Sequence, residues 1–288
     1  MIVRSWLYVP GDRPERFSKA VEKGADAVVL DLEDAVSADK KEAAREFVAD
    51  WARDGDHGSA QVWVRVNQGA LGLDDLRAVV GPGISGVCLP KVDSVATVVD
   101  AVEVIEAAEL QRGMDRGSVA VVPLIESAVG LANLGGIIRG PRVVQLQVGE
   151  VDLAGDLGLS GDVDQHLSPI RSAILVASVA AGISPPVGPV STEFRNLEAF
   201  AESTRIVREQ GFVGRACIHP DQVTLVNAAF TPDAAEIEAA HSLLDRLAAS
   251  IRDGSGIAIA EDGRMIDEAS ARAARRVLEL ARSSTGQE

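Results

Sequence analysis

Short runs of β-branched and other apolar residues alternate along the chain with longer segments in which apolar residues have helical spacing. This alternation is typical of βα units around a parallel sheet. The apolar runs predict eight strands, at residues 6–9, 27–32, 62–66, 86–90, 119–125, 143–148, 186–190 and 215–218. Helical spacing predicts helices that include residues 13–23, 40–51, 95–110, 169–181 and 197–210.

Eight βα units predict a protein of the α/β class with a TIM-type (β/α)8 barrel, and an open doubly wound sheet is the alternative. The pattern changes after Phe230: residues 232–251 and 268–283 have helical spacing, and the Gly-rich segment 254–263 separates them. No strand is predicted in this tail. We therefore expect a barrel domain over residues 1–230 and a C-terminal helical extension over 231–288, packed on the barrel or reaching a neighbouring subunit.

The composition narrows the choice of partners. Among 288 residues, 28 Lys and Arg stand against 43 Asp and Glu, which gives a formal charge of −15, and aromatic residues make up only 3%. Nucleic-acid binders use cations to neutralise phosphates and aromatic rings to stack on bases, so we expect no nucleic-acid partner. The charged fraction of 25% and the hydrophobic fraction of 47% are typical of a globular protein with a sizeable core.

The sequence also predicts no membrane span and no signal peptide. The most apolar stretch, residues 119–138, is interrupted by Pro123, Glu126 and Asn133. The first residues turn polar by Gly11, before an apolar core of signal-peptide length is reached. The two cysteines lie inside apolar runs and are expected to be buried free thiols, so the protein is expected to be cytoplasmic.

Polar residues follow most of the predicted strands. In α/β barrels the active site lies at the carboxyl ends of the strands, so these residues are candidates for its chemistry, with solvated strand caps as the alternative. They are Asp31, Glu33, Asp34, Arg65, Asn67, Lys91, Glu126, Glu150, Asp152 and His219.

Three of these candidates together predict a site for a small carboxylate. Glu126 and Asp152 follow separate strands without a supporting His or Cys cluster, a donor set that suits Mg²⁺ better than Zn²⁺. Arg65 on another strand supplies a planar fork that binds carboxylates. Such a site would bind a 2-oxo acid and favour C–C bond chemistry beside a carbonyl. The alternative is an Arg65–Glu126 ion pair inside the barrel.

Several segments make the chain resemble a known family. In order, they are RSWLYVPGDRPERFSKA, VVLDLEDAV, VWVRVN, VCLPKVDS, PLIESAVGLAN, DLAGDLG and ACIHPDQV. Together they resemble the citrate lyase β-subunit-like family, which includes malyl-CoA and citramalyl-CoA lyases of the pyruvate/phosphoenolpyruvate barrel superfamily. The resemblance covers nearly the whole chain.

The resemblance implies a Mg²⁺-dependent carbon–carbon lyase. Its substrate would be a β-hydroxyacyl-CoA of the malyl, citramalyl or citryl type, and its products acetyl-CoA or a homologue and a 2-oxo acid. Glu126 and Asp152 match the metal ligands, and Arg65 matches the arginine that holds the oxo-acid carboxylate. Two alternatives are an acyl-CoA thioesterase or malate-synthase-like activity on the same scaffold, and a citryl lyase subunit of a multi-subunit citrate lyase complex.

Further roles follow from the same resemblance. Glu33, Asp34 and Lys91 would orient metal waters and substrate. Asp267 matches a general acid/base that relatives bring from a neighbouring subunit, which implies a homotrimer or hexamer. The contacts to coenzyme A and substrate at the entrance are expected from Tyr8, Arg13, Lys19, Ile218 and His219. The chain departs from the family pattern at Val151, which precedes Asp152, at residues 196–199 and at Arg215.

Overall fold

A computed structural model describes residues 2–160, 163–260 and 263–285. Eight parallel strands pair in sequence order, and the last pairs with the first, so they form a closed barrel. This confirms the predicted TIM-type barrel, and the doubly wound alternative is wrong. The barrel strands are β1 (Ser5–Pro10), β2 (Ala27–Asp31), β3 (Gln61–Arg65), β4 (Gly86–Leu89), β5 (Ala120–Ile125), β6 (Gln147–Val148), β7 (Val187–Gly188) and β8 (Gly214–Cys217).

Helices connect successive strands and cover the barrel. Those up to the end of the barrel are α1 (Phe17–Glu22), α2 (Lys41–Asp54), α3 (Gly69–Val79), α4 (Val95–Gln111), α5 (Ala128–Ala132), α6 (Leu134–Ile137), α7 (Glu150–Asp156), α8 (Val163–Ala181), α9 (Leu197–Glu209) and α10 (Asp221–Phe230). The predicted helix at 13–23 begins as a 3-10 turn, Pro14–Arg16. Helix α8 starts before the predicted 169–181, with Pro169 inside it.

The barrel interior is filled by side chains from strands all around it. Trp6 and Trp63 face each other there, with ring centroids 4.8 Å apart, and Val29, Cys88 and Leu124 belong to the same buried cluster. Their burial removes a large apolar area from water. Both cysteines are buried and free, as predicted.

The sixth strand is shorter than predicted. Only Gln147 and Val148 form β6, while Val143 makes an isolated parallel bridge to Val121. Between them the Gln145 side-chain amide donates to the Pro185 carbonyl at 2.6 Å. The predicted strand at residues 143–148 therefore does not form a continuous ladder.

The chain folds into two compact units, Val3–Asn227 and one of Ala228–Glu288 together with the first two residues. The C-terminal unit contains α11 (Ala234–Arg252) and α12 (Glu268–Thr285), as predicted, and a hairpin of β9 (Ala258–Ile259) and β10 (Met265–Ile266). The prediction of a strand-free tail is wrong, because two-residue strands are too short to show alternation. None of the described helices is long and apolar enough to cross a membrane.

Candidate active site

A cavity of about 470 Å³ lies at the carboxyl ends of the barrel strands. Its charged lining consists of five acids and an arginine: Asp31, Asp34, Glu126, Glu150, Asp152 and Arg65. Apolar side chains from the ends of β5, β6, β7 and β8 complete the wall. The structure thus brings together strand-end residues that are far apart in sequence.

Arg65 is held by an acid on the neighbouring strand. Asp31 and Arg65 are register partners at the ends of β2 and β3. Arg65 donates to Asp31 from Nε at 2.7 Å and from Nη2 at 2.6 Å, a bidentate pair. Burial alone would lower the pKa of Arg65, but the bonds to Asp31 raise it above its usual value. The role of Asp31 was missed, although both residues end adjacent predicted strands.

Glu33, Asp34 and Lys91 complete a charge network with Arg65. Arg65 Nη1 lies 3.1 Å from Glu33 Oε2 and 3.3 Å from Asp34 Oδ2, and Lys91 Nζ lies 3.2 Å from Glu33 Oε1. The ion-pair partners of Arg65 in the described chain are therefore Asp31, Glu33 and Asp34, not Glu126. Burial raises the pKa of Glu33, whereas hydrogen bonding to Glu33 and nearby cations outweigh burial and lower that of Asp34.

The backbone of two other segments, at Lys91 and at Gly149, positions the Glu126 carboxylate in the cavity. The Lys91 amide donates to Glu126 Oε1 at 2.6 Å, and Lys91 has a left-handed φ of 47°, unusual for a residue with a side chain. A Cβ on Gly149 would lie 2.4 Å from Glu126 Oε2, so only glycine leaves room for this carboxylate. Burial raises the pKa of Glu126 to about 7, and the charges of Asp152 and Glu33 add to the rise.

Asp152 lies in the first turn of α7, and this helix is tied down at both ends. At its start, Glu150 accepts from Arg171, with Nη2 to Oε2 at 2.7 Å, and the buried Arg171 also contacts Asp164. At its end, Asp156 Oδ2 accepts from the Ala128 amide at 2.7 Å, just after β5. The bond to Ala128 links the Asp152 helix to the segment that carries Glu126.

The residues present fit Mg²⁺. In the described ranges no group of three or more His, Cys, Asp and Glu is arranged as a metal site. Mg²⁺, however, commonly takes one or two protein carboxylates and completes its shell with water and substrate oxygens. Arg65 neutralises Asp31 and Arg171 neutralises Glu150, which leaves an excess of negative charge around Glu126 and Asp152. A hard divalent cation would balance that charge.

A second cavity of about 420 Å³ adjoins the first and shares Tyr8, Val9, Pro10 and Ile218 with it. Its charged lining is basic and consists of Arg16, Lys19 and Lys23, and His219 also lines it. Tyr8 contacts both spaces. Its hydroxyl donates to Gln147 Oε1 at 2.7 Å, and its ring lies 5.2 Å from the guanidinium carbon of Arg65.

The predicted entrance residues fall into two groups. Tyr8, Lys19, Ile218 and His219 line the basic cavity, whereas Arg13 lines neither cavity and lies 3.8 Å from Asp12. The backbone amides of Ile218 and His219 both donate to Gln222 Oε1, at 2.9 and 3.1 Å. Gln222 is fully buried in α10 and was not predicted.

Asn67, another strand-end candidate, braces the barrel and does not line the acidic cavity. Its side chain accepts from Lys41 Nζ at 2.6 Å and donates to Asp75 at 2.7 Å. Lys41 also donates to the carbonyls of Leu32 and Glu33, at 2.8 and 2.9 Å. This network fixes the segments that follow β2 and β3.

Asp267 belongs to the C-terminal unit, where it precedes α12. Its Oδ1 accepts from the Ser270 amide at 2.9 Å and from the Ser270 hydroxyl at 3.1 Å, which is an N-cap arrangement. These bonds lower the pKa of Asp267, so the carboxylate is ionised at neutral pH. Its placement in a neighbour's active site stays a prediction.

A closed (β/α)8 barrel whose carboxylates and arginine meet at the carboxyl ends of the strands places the chain among the TIM-barrel enzymes. The chain belongs to the HpcH/HpaI aldolase/citrate lyase family, which matches residues 4–220. It is a lyase of the citrate lyase β-subunit-like type. The family expected from the sequence motifs is confirmed.

Three relatives show the extent of the similarity. Citrate lyase subunit beta of Leuconostoc mesenteroides subsp. cremoris is 32% identical over 289 residues, covering 98% of this chain and 94% of the relative. L-malyl-CoA/beta-methylmalyl-CoA lyase of Rhodobacter capsulatus is 30% identical over 299 residues, with 94% and 92% covered. The crystal structure of the Mycobacterium tuberculosis protein CitE with magnesium, acetoacetate and coenzyme A is 33% identical, has a TM-score of 0.77 and matches 97% of this chain and 98% of that one.

Proposed function

We propose that the protein is a Mg²⁺-dependent carbon–carbon lyase that reversibly cleaves a β-hydroxyacyl-CoA into acetyl-CoA, or a homologue, and a 2-oxo acid. The observation that carries the proposal is the pair of adjoining cavities, one acidic with an arginine and the other basic, which meet at Tyr8. The acidic cavity suits a metal-assisted carboxylate site, and the basic cavity suits the phosphates of coenzyme A. The cytoplasm is the proposed compartment, because free thiols stay reduced there.

Glu126 and Asp152 would hold the metal, which when bound stabilises negative charge on the substrate's oxygens. Arg65 would bind the carboxylate of the oxo acid. Nε and one side of Nη2 are committed to Asp31, and Nη1 contacts Glu33 and Asp34, so a ligand would be met by the remaining donor of Nη2 and by Nη1, which it would share with those two acids. Asp31 thereby fixes the direction in which Arg65 offers its remaining donors.

Cleavage breaks the bond between the hydroxyl-bearing carbon and the carbon next to the thioester carbonyl. The hydroxyl loses its proton to a base, the oxo group forms, and the bonding pair passes to the enolate of acetyl-CoA, which then takes up a proton. Glu33, Asp34 and Lys91 would orient the substrate and metal waters. Asp267 from a neighbouring subunit would exchange the proton at the acetyl methyl carbon, in a trimer or hexamer. As an ionised carboxylate, it removes that proton in the condensation direction and returns it in cleavage.

The reaction class is tested by incubating the purified protein with malyl-CoA and citramalyl-CoA, with Mg²⁺ or with EDTA. We expect a 2-oxo acid, trapped as its phenylhydrazone, in amounts equal to acetyl-CoA, no free thiol, and no turnover in EDTA. Release of free coenzyme A with each turnover would instead indicate a thioesterase or malate-synthase-like activity. Turnover only of an acyl group carried by an acyl carrier protein would indicate a subunit of a citrate lyase complex.

The basic cavity can be tested through Lys19. Lys19→Ala is expected to raise the KM for the acyl-CoA by about 5–10-fold with kcat within about twofold, because one charge-assisted contact to an anion is lost. Arg13→Ala is the matched control: the sequence suggested the same role, but its side chain lies outside both cavities, so its KM should change less than about twofold. Steady-state kinetics with varied acyl-CoA concentration measure KM and kcat for both variants. Equal effects of the two variants would count against this cavity as the coenzyme A site.

A further inference from the structure

Gln147 is a buried residue of the acidic cavity whose amide nitrogen has no partner in the described chain. Its exposed fraction is 3%, and it lines the cavity from β6. Its Oε1 accepts from the Tyr8 hydroxyl at 2.7 Å, and none of the described residues accepts a hydrogen bond from its Nε2. The bond to Tyr8 fixes the orientation of the amide, which leaves both N–H groups of Nε2 for a ligand in the cavity.

The other side chains with N–H or O–H groups that line this cavity in the described chain already have partners. Arg65 is bidentate to Asp31 and is the proposed partner of the oxo-acid carboxylate. The Tyr8 hydroxyl directs its hydrogen to Gln147, and burial raises the pKa of Tyr8 well above its usual value, so Tyr8 keeps that proton. Gln147 is thus the neutral side-chain donor left for a substrate oxygen.

We propose that Gln147 is a catalytic residue whose Nε2 donates a hydrogen bond to the thioester oxygen of the acyl-CoA. This inference rests on the proposed function. When the C–C bond breaks, its electron pair forms the C=C bond of the enolate, and negative charge moves onto the thioester oxygen. The hydrogen bond strengthens as that charge develops, and no proton is transferred to or from the amide.

The position of Gln147 favours the thioester oxygen over the other oxygens of the substrate. Tyr8, its hydrogen-bond partner, lines both the acidic and the basic cavity. An acyl-CoA whose phosphates lie in the basic cavity would pass Tyr8 before its acyl group reaches the acidic cavity, so its thioester would come close to Gln147. The carboxylate and the oxo group of the substrate already have proposed partners in Arg65 and the metal.

The backbone that carries this donor is held in place before the substrate arrives. Gln147 pairs with Leu124 of β5 and with Val187 of β7 in the barrel ladder, so its backbone is fixed on both sides. A donor that is fixed in advance stabilises developing charge without the cost of reorganisation. Removing one such donor typically lowers kcat by about 100–1000-fold.

Gln147→Met tests the donor, because methionine is similar in length and has no N–H group in its side chain. We expect kcat to fall by at least about 100-fold in both reaction directions, with the KM for the oxo acid within about threefold of wild type. A loss of kcat smaller than about tenfold would overturn the inference.

Gln145→Met is the matched control. Gln145 lies two residues earlier, is also buried, donates to the Pro185 carbonyl and lines neither the acidic nor the basic cavity. Its replacement should lower the thermal midpoint of unfolding and leave kcat within about twofold of wild type. Equal losses of kcat in Gln145→Met and Gln147→Met would overturn the inference, because any buried glutamine here would then have the same effect.

Tyr8→Phe separates the donor role of Gln147 from a structural one. The change removes the hydroxyl that is bonded to Gln147 and leaves the amide nitrogen in place. We expect kcat to fall by less than about tenfold, and so by much less than in Gln147→Met. Equal losses of kcat in the two variants would mean that Gln147 acts only by holding Tyr8, and would overturn the inference.

Binding supplies a measurement that does not need turnover. S-ethyl-CoA is a thioether in which a methylene group replaces the carbonyl of acetyl-CoA. In calorimetric titrations the wild-type protein should bind acetyl-CoA about 3–10-fold more tightly than S-ethyl-CoA, and Gln147→Met should bind the two within about twofold of each other. Equal binding of the two by the wild type would overturn the inference. If the wild type catalyses neither cleavage nor condensation, the proposed function fails, and the wild-type binding ratio still decides the role of Gln147, as it does if Gln147→Met fails to fold.

Discussion

Glu126→Gln and Asp152→Asn are each expected to lower kcat for Mg²⁺-dependent cleavage by at least about 1000-fold. Each change keeps the shape of the side chain and removes one of the two carboxylates proposed to hold the metal. The same variants should also weaken metal affinity. Replacing a residue that only hydrogen-bonds to a metal ligand typically lowers the affinity by about 10–100-fold, and loss of a ligand itself should lower it further. Steady-state kinetics and Mn²⁺ binding followed by electron paramagnetic resonance measure the two effects.

The control is Glu103→Gln, which changes an exposed acid on α4, outside the acidic cavity. It should keep kcat and metal affinity within about twofold of wild type. Full activity in either Glu126→Gln or Asp152→Asn would refute the metal assignment. Unchanged Mn²⁺ binding with lost activity would instead mean that the carboxylate acts on the substrate directly.

Arg65→Lys is expected to lower kcat/KM by about 100–1000-fold, mainly through a higher KM for the oxo acid in the condensation direction. A lysine keeps the charge, but its ammonium cannot be bidentate to Asp31 and at the same time offer a second edge to a substrate carboxylate. Asp31→Asn should act in the same direction with a smaller effect, because the arginine remains but loses its charged anchor. Initial rates with varied oxo acid measure both variants.

A second Arg–Asp pair, which joins helices α2 and α3, supplies the control. Arg45 donates to Asp75 at 2.7 Å, and neither residue lines the acidic cavity. Arg45→Lys should lower the thermal midpoint of unfolding and leave the KM for the oxo acid within about twofold. If Arg45→Lys raised that KM as much as Arg65→Lys, the effect of Arg65 would be one of general stability and not of carboxylate binding.

The barrel could be predicted because each of its strands leaves a pattern within a short stretch of sequence. Each strand of a parallel barrel is buried on both faces, so an apolar run such as the one at residues 27–32 shows in the sequence. The shortened β6 could not be predicted, because Val143 and Val144 are as apolar as residues inside the strands. Val143 makes only an isolated bridge to Val121, and the sequence does not show that the ladder is interrupted there. The β9–β10 hairpin was missed because each strand spans only two residues.

The part of the site that consists of residues at strand ends was predicted from the sequence. Arg65, Glu126 and Asp152 each follow or end an apolar run, and the general rule for barrels brings such residues together. Two further contacts that position Glu126 depend on distances in the folded structure, which the spacing of residues in the sequence does not reveal. Gly149 leaves room for the Glu126 carboxylate, and the Lys91 amide reaches it from a left-handed turn.

The pairing of Asp31 with Arg65 also has a consequence for how the site moves. Both residues belong to the hydrogen-bonded ladder between β2 and β3, so their backbones can separate only when the barrel itself opens. Local opening free energies are highest for such central strands and lowest for exposed segments. Asp152, on the exposed start of α7, has no such restraint from the sheet. The backbone that presents the arginine is therefore held by the sheet, and we expect the motion that admits and releases small molecules in segments outside the ladder.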